Sequence, residues 1–455
     1  MDSDTIVALS TPPGESGIAV VRMSGSRAIR IIEATANDPP KWISHRAYKR
    51  TLLTREGEHI DEALIVVMKS PNSYTGEDVV EISCHGSMQA ATELIEETLR
   101  HGARAAEPGE FTKRAFLSGR MDLVQAEAVA DLIAAETKLQ RKVALELLEG
   151  GLSAKLAVIE EKIREQLALI EVSIDFSEED IAAYDPAEAK EVTSEARERI
   201  GRLLESEVAG RKLRSGIRIT ILGPRNAGKS SLYNSLIGEE RAIVSPIPGT
   251  TRDILRERIH IGGFTYYLED TAGIAETGCE IEAKGISIGR KAAGSAALVL
   301  FVVDGSGECR PETAKELRML DTGKMLCVVN KSDLGLRFSA AEAAEMLGVK
   351  RVAVVSAQNG EGLEGLRQWI YESTIKGETG RLNRERIAIN ARHGAALREA
   401  DEALGRFEHA LDGGAPAEIL SMEIRAAAEA IGTITGKSIV DDLLDTIFDR
   451  FCIGK

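Results

Sequence analysis

Apolar positions along this 455-residue chain change their spacing several times, and each change marks a different kind of element. Up to about residue 118, strand-like runs (Gly17-Ile18-Ala19-Val20-Val21-Arg22, Ala63-Leu64-Ile65-Val66-Val67, Val79-Val80-Glu81-Ile82-Ser83) alternate with helical periodicity around Ala28 to Thr35 and Ser87 to Leu99. That mixture predicts an N-terminal domain of both helix and strand. From Leu123 the texture turns rich in Ala, Leu and Glu with a helical period, through Ile170 and again from Pro186 to Glu207. Short apolar strands return at Ile217–Leu222, Thr265–Leu268, Met325–Val329 and Val352–Val355. Lys376-Gly377-Glu378-Thr379-Gly380 then reads as a linker into Ala-rich helices that run to Phe451. The pattern predicts four segments: 1–118, a first helical part over 119–215, an α/β module over 216–376, and a second helical part over 377–455. Either one helical domain carries the module as an insertion, or two separate bundles flank it.

Chemistry enters directly after the strand Ile217–Leu222. Gly223-Pro224-Arg225-Asn226-Ala227-Gly228-Lys229-Ser230 fits the phosphate-loop pattern G-x-x-x-x-G-K-[ST], and a helical run from Ser231 follows it. The glycines let the backbone wrap a phosphate, so that loop amides and the helix N-terminus face its charge. Lys229 is expected at the β/γ-phosphates and Ser230 at Mg²⁺, with Asn226, Ala227, Gly228 and Ser231 completing the loop's hold. The base is read by Asn330-Lys331-Ser332-Asp333. An aspartate there accepts two hydrogen bonds from guanine, and adenine lacks that donor pair, so discrimination by ~10⁴ is attainable. Ser356-Ala357-Gln358 fits the loop that buttresses guanine. Together these motifs specify GTP.

Two switch elements lie between. In Ser245-Pro246-Ile247-Pro248-Gly249-Thr250-Thr251, the hydroxyl of Thr251 suits Mg²⁺ and senses the γ-phosphate. Asp270-Thr271-Ala272-Gly273 offers a metal-side carboxylate and a glycine amide. Many GTPases follow this segment with a glutamine that orients the attacking water. Ile274 stands there instead and cannot polarise water, so another group must serve. Glu276, Glu280 and Glu282 lie downstream, and the residues alone do not choose among them.

Composition narrows the class further. A formal charge of −15 argues against a general basic surface for nucleic acid, though not against a local patch. Aromatics at 4% make a stacking platform for single strands improbable. Cys84, Cys279, Cys309, Cys327 and Cys452 have neither zinc-site nor disulfide spacing. Without a basic leader or an apolar run of membrane-spanning length, the expectation is a reduced, cytoplasmic protein that needs no membrane.

Thr11-Pro12-Pro13-Gly14 with the following strand, Ser73-Tyr74-Thr75-Gly76-Glu77-Asp78-Val79-Val80-Glu81, Glu107-Pro108-Gly109-Glu110-Phe111-Thr112-Lys113-Arg114-Ala115-Phe116 and the terminal Phe451-Cys452-Ile453-Gly454-Lys455 carry a resemblance. With the single GTPase module, the chain resembles the MnmE/TrmE family of tRNA-modification GTPases over essentially its whole length. The resemblance implies a multidomain α/β protein. Its parts would be an α+β N-terminal folate-binding and dimerisation domain, an all-α helical domain and an inserted Ras-like P-loop GTPase domain. It further implies a homodimer that forms a heterotetramer with a flavin-dependent partner, MnmG (GidA), which carries FAD. The pair would place an aminomethyl or carboxymethylaminomethyl group on C5 of the wobble uridine of certain tRNAs, with 5,10-methylenetetrahydrofolate as one-carbon donor. Arg22, Glu81 and Lys455 fall where the family contacts folate. Arg120, also expected at the folate, stands where a lysine is usual, and Ala275 where an arginine is common. Asn226, with carbonyls near Ser245, Ile247 and Thr250, matches a K⁺ shell, and Glu282 matches the water-orienting glutamate. Cys452 is expected to take part in the modification chemistry. The competing reading is a ribosome-assembly GTPase acting as a binding switch, but no KH-like GxxG clamp with a basic surround is present.

Overall fold

In the computed structural model, residues 4–175, 184–238, 257–270, 294, 296–308, 322–349, 351–375, 387–438, 441–449 and 451–455 are described. They fall into two compact units, and the chain passes between these more than once. One unit holds residues up to 133, 147–197 and 396–455; the other holds 134–146 and 198–395.

The first unit contains a six-stranded sheet of β1 (Ile6–Leu9), β2 (Ser16–Ser24), β3 (Ala47–Leu53), β4 (His59–Met68), β5 (Val79–Gly86) and β6 (Arg104–Ala105), in the order β3-β4-β5-β2-β1-β6. All neighbours are antiparallel except β1 and β6. Alternate side chains of β2, β4 and β5 (Val21, Met23, Ile65, Val67, Val80, Ile82) bury one face against α1 (Ala28–Thr35) and α2 (Met88–Arg100). Ser87 caps α2 through the Ala90 amide, which fixes where the helix starts. The pattern over residues 1–118 shows only three of the six strands. β3 escapes because Lys49 and Arg50 interrupt its apolar run, as is common for an edge strand. β1 and β6 are too short to show a period.

The helical run from Leu123 divides into α4 (Leu123–Ile133), α5 (Lys138–Leu148) and α6 (Gly151–Asp175). The Gln140 carboxamide accepts from the Glu136 and Thr137 amides, and Thr137 accepts from the Gln140 amide, a reciprocal cap that opens α5. After α7 (Pro186–Leu204) and α8 (Glu207–Ser215), the second unit builds a sheet from β7 (Ile217–Leu222), β8 (Glu257–Ile261), β9 (Phe264–Asp270), β10 (Leu298–Asp304), β11 (Met325–Asn330) and β12 (Val352–Val354). Its order is β12-β11-β10-β7-β9-β8, parallel except for β8. Strands buried on both faces read as continuous apolar runs, as Leu298–Val303 and Met325–Val329 do. Helices α9 (Lys229–Gly238), α10 (Ala340–Leu347) and α11 (Leu363–Ile375) accompany this sheet.

Back in the first unit, α12 (Ala391–Asp412) is tied to α7 by Arg197, which donates to Asp401 at 2.9 Å and to Glu408 at 2.7 Å. α13 (Ala417–Thr435) lies along α6, where the buried Glu160 accepts from Arg164 and Lys437. Phe448 of α14 (Asp441–Phe448) and Phe451 pack with Leu123 and Ala126, which docks the end of the chain.

Candidate functional site

In an open parallel sheet, the loops that leave the carboxyl ends of the strands converge on one edge. The loops after β7, β10, β11 and β12 meet in this way. Gly223 to Gly228 turns between β7 and α9, with Gly228 at φ 88° and Asn226 also left-handed at φ 62°. A Cβ at Gly228 would collide with the Asn330 side-chain amide, so only glycine permits that approach. The Lys229 ammonium lies over the loop and donates to the Gly223 and Pro224 carbonyls at 3.0 and 2.8 Å.

Asn330, 1% exposed, is the hub of this edge. Its amide nitrogen donates to the Ala227 and Gly228 carbonyls at 3.1 and 3.4 Å, and its oxygen accepts from the Ala357 amide at 3.0 Å. One side chain therefore joins the phosphate loop to the loop after β12. The buried Ser356 hydroxyl donates to Asp333 at 2.6 Å, holding one carboxylate oxygen and leaving the carboxylate exposed. Lys331, left-handed at φ 66°, reaches Asp304 at 2.6 Å. Burial pushes the Asp304 carboxyl up, but Lys331 and the Ser306 hydroxyl and amide outweigh it and hold it below its ordinary value.

A second polar cluster lies on the N-terminal sheet. Arg22 on β2 and Glu81 on β5 are directly opposite, and the guanidinium holds one carboxylate oxygen from Nε at 2.9 Å and Nη2 at 2.8 Å. The Tyr74 and Phe111 rings flank the guanidinium at 5.6 and 5.7 Å. The chain terminus arrives here from over four hundred residues away. Ile453 bridges Pro108, and the Gly454 carbonyl accepts from Arg22 at 3.3 Å and from Ser10 at 3.2 Å. Gly454 has φ 91°, and a Cβ there would strike the Leu9 carbonyl, so the tail can lie this close only as glycine. Cys452 is exposed, and Lys455 is half-buried. Arg120 is exposed, and among the described residues no hydrogen bond or ion pair joins its side chain to Arg22, Glu81 or the tail.

Residues 5–120 match the family model described as GTP-binding protein TrmE N-terminus, and residues 123–452 match the one described as MnmE helical domain. A tRNA modification GTPase MnmE of Alkaliphilus metalliredigens is 42% identical over 458 residues, covering 99% of both chains. Another, of Moorella thermoacetica, is 41% identical over 467 residues and covers both chains fully. The chain belongs to the MnmE family of tRNA modification GTPases. The G domain of the T. maritima FeoB iron transporter is 26% identical across 34% of this chain and 98% of its own, with a TM-score of 0.27. The strand order given above stands without it.

As a member of the MnmE family, the chain is a GTPase that acts in tRNA modification, built from a TrmE-type N-terminal domain, a helical domain and a P-loop GTPase fold. Among the described residues, no helix is long and apolar enough to cross a membrane. Ser245, Pro246, Ile247, Pro248, Gly249, Thr250 and Thr251 lie outside the described residues, as do Thr271, Ala272, Gly273, Ile274, Glu276, Glu280 and Glu282. Asp270 ends β9, but its side chain is not among those described. Two residues of the nucleotide edge escape motif reading: Asp304 and Ser306. Their signal is positional, since Asp304-Gly305-Ser306 leaves the buried run Leu298–Val303 at the edge where the other loops gather.

Proposed function

We propose that this MnmE-family chain is a potassium-activated GTPase that works with a flavin-dependent partner to modify C5 of the wobble uridine in certain tRNAs. The tail on the Arg22–Glu81 pair supports this reading most, because it gathers a cation, a carboxylate, two rings and a thiol-bearing terminus on one side of the N-terminal sheet. That set fits a tetrahydrofolate. Arg22 suits a carboxylate or pterin carbonyl, Glu81 the pterin N–H edge, and Tyr74 and Phe111 offer flat apolar surface. When bound, the folate supplies the one-carbon unit. Arg22, Glu81 and Lys455 bind and orient it, and Cys452 acts beside it as nucleophile or proton donor. Arg120 joins this set only if its exposed side chain turns toward the pair.

At the nucleotide edge, Lys229 and the loop amides hold the phosphates, Asp333 reads guanine, and Ser356 keeps that carboxylate turned to the base. Asn330 keeps the phosphate and base loops in register. Ser230 and Thr251 would hold Mg²⁺. Asn226 with the carbonyls of Ser245, Ile247 and Thr250 would hold K⁺, whose charge stands where an arginine finger acts in other GTPases. Glu282 orients water in place of the absent glutamine. The reading includes a homodimer through residues 1–118, a helical domain made of 119–215 and 377–455 around the GTPase module at 216–376, and a complex with MnmG in the cytoplasm. Nucleoside analysis of tRNA from cells lacking this protein tests it. Loss of 5-substituted wobble uridine is the expected result; an unchanged nucleoside profile with defective ribosome assembly favours a binding switch instead.

A further inference from the structure

Residues 211 to 218, Arg-Lys-Leu-Arg-Ser-Gly-Ile-Arg, hold four cations and no acid in a chain whose formal charge is −15. They run from α8 into the start of β7, so this charge falls at the sheet edge opposite the nucleotide loops. Arg218 and Leu222 are four residues apart on β7, or ~13 Å. A cavity of about 680 Å³ opens there, lined by Arg211, Lys212, Arg218, Tyr267 and Lys324 among others. Lys212 also donates to the Thr374 carbonyl. Arg211, Arg218 and Lys324 are exposed and make no ion pair among the described residues.

Strand register extends the row. Arg218 on β7 stands opposite Tyr267 on β9, and Tyr267 opposite Arg258 on β8, so the three share one face. The Arg258 guanidinium lies 6.0 Å from the centre of the Tyr267 ring and is also paired with Glu136. Lys324 stands at the foot of β11, two strands from β7 on the other side. At about 4.8 Å per strand, Arg218 and Lys324 are ~10 Å apart across the sheet. A row of cations spread over that width can meet successive phosphates of a chain. An aromatic ring set among arginines also offers a surface on which an unpaired base can stack.

We propose that this basic cavity is a docking site for the sugar–phosphate backbone of tRNA on the GTPase module, at the end of β7 opposite the phosphate loop. The proposal rests on the reading that tRNA is this chain's substrate. An acidic chain repels RNA at long range, so a local cationic surface is what lets the module touch it.

The test measures binding of unmodified tRNA to the full-length protein by fluorescence anisotropy at several salt concentrations, with GTP affinity as the control for folding. The double variant Arg218→Glu, Lys324→Glu is expected to weaken tRNA binding about tenfold or more at low salt. It should also reduce the slope of log affinity against log salt by about 1 to 2, because each lost phosphate contact releases fewer counterions. GTP affinity should stay unchanged, and Arg218→Lys, which keeps the charge, should bind as wild type does. Inorganic pyrophosphate serves as a competitor. If it saturates the cavity at micromolar concentration while the double variant still binds tRNA normally, the site takes small phosphates and the proposal fails. Wild-type binding with the same affinity and slope in the double variant overturns the proposal alone. A wild-type protein that binds no tRNA at any salt overturns it together with the substrate reading.

Discussion

Asn226 adopts a left-handed backbone, which asparagine tolerates better than most side chains, and its exposed amide stands at the bend of the phosphate loop. Asn330 solves the opposite problem: it is buried and spends both ends of its amide on joining two loops. Two asparagines thus differ in role: one is exposed at the loop's bend and one holds the frame. The proposed K⁺ role belongs to the first. GTP turnover is expected to be faster in KCl than in NaCl by a factor approaching ~10³, the lower end of what an arginine finger gives. Asn226→Ala should erase that difference while nucleotide affinity holds. Equal turnover of the wild type in the two salts would falsify the role.

At the scale of elements, helix α3 (Glu110–Leu117) matters because its start meets the chain's tail: Gly109 packs on Phe448 and Phe451, and its amide donates to the Cys452 carbonyl at 3.4 Å. Glu110 fixes that start. Its carboxylate accepts from Arg104 at 2.6 and 3.0 Å, from Arg114 at 2.9 Å and from the Glu107 amide at 2.8 Å. Burial pushes the Glu110 carboxyl up, but these donors outweigh it and hold it below its ordinary 4.5. A lowered folded value means that its contribution is complete above the ordinary carboxylate range and is lost as pH falls through the lowered one. Arg104 keeps Asp4, and Arg114 keeps Asp4 and Glu77, so Glu110→Ala removes charge-assisted hydrogen bonds without isolating either cation and is expected to cost about 2 kcal/mol at neutral pH. In urea unfolding, the gap between variant and wild type should shrink as pH drops below the ordinary value. A gap that stays constant down to pH 3 would show that packing, and not charge, sets the cost. The sequence shows this helix as a motif but gives no reason for its charges, because Arg104 and Asp4 meet Glu110 and Arg114 only in the fold.

For the whole molecule, the nucleotide edge and the tail site are built on different sheets in different units. Chemistry at one should therefore be separable from chemistry at the other by substitution. Cys452→Ser is expected to leave GTP hydrolysis within about twofold, a barrier change of only ~0.4 kcal/mol, yet to abolish wobble-uridine modification in a reconstituted reaction with the partner. Full modification by that variant would reduce Cys452 to a docking residue. The cation-rich stretch at 211–218 belongs to this scale too, since its meaning depends on the sheet edge where the fold places it.

The sequence by itself determined the nucleotide, because phosphate and guanine recognition rest on short contiguous motifs whose residues act through local backbone geometry. It likewise determined β7, by its alternation, and β11, by its unbroken apolar run, whereas β10 went unread although its run is equally apolar. In the N-terminal sheet the edge strand β3 stayed hidden because Lys49 and Arg50 interrupt its run, and β1 and β6 because they are too short to show a period. Only tertiary structure decided that Asn330 links the two loops, that Asp304 restrains Lys331, and that a terminal glycine rests its carbonyl on Arg22. Each of those pairings joins residues far apart in the chain. No spacing encodes them; they follow from which strand ends the sheet brings to a common edge and from where buried phenylalanines pin the last turn.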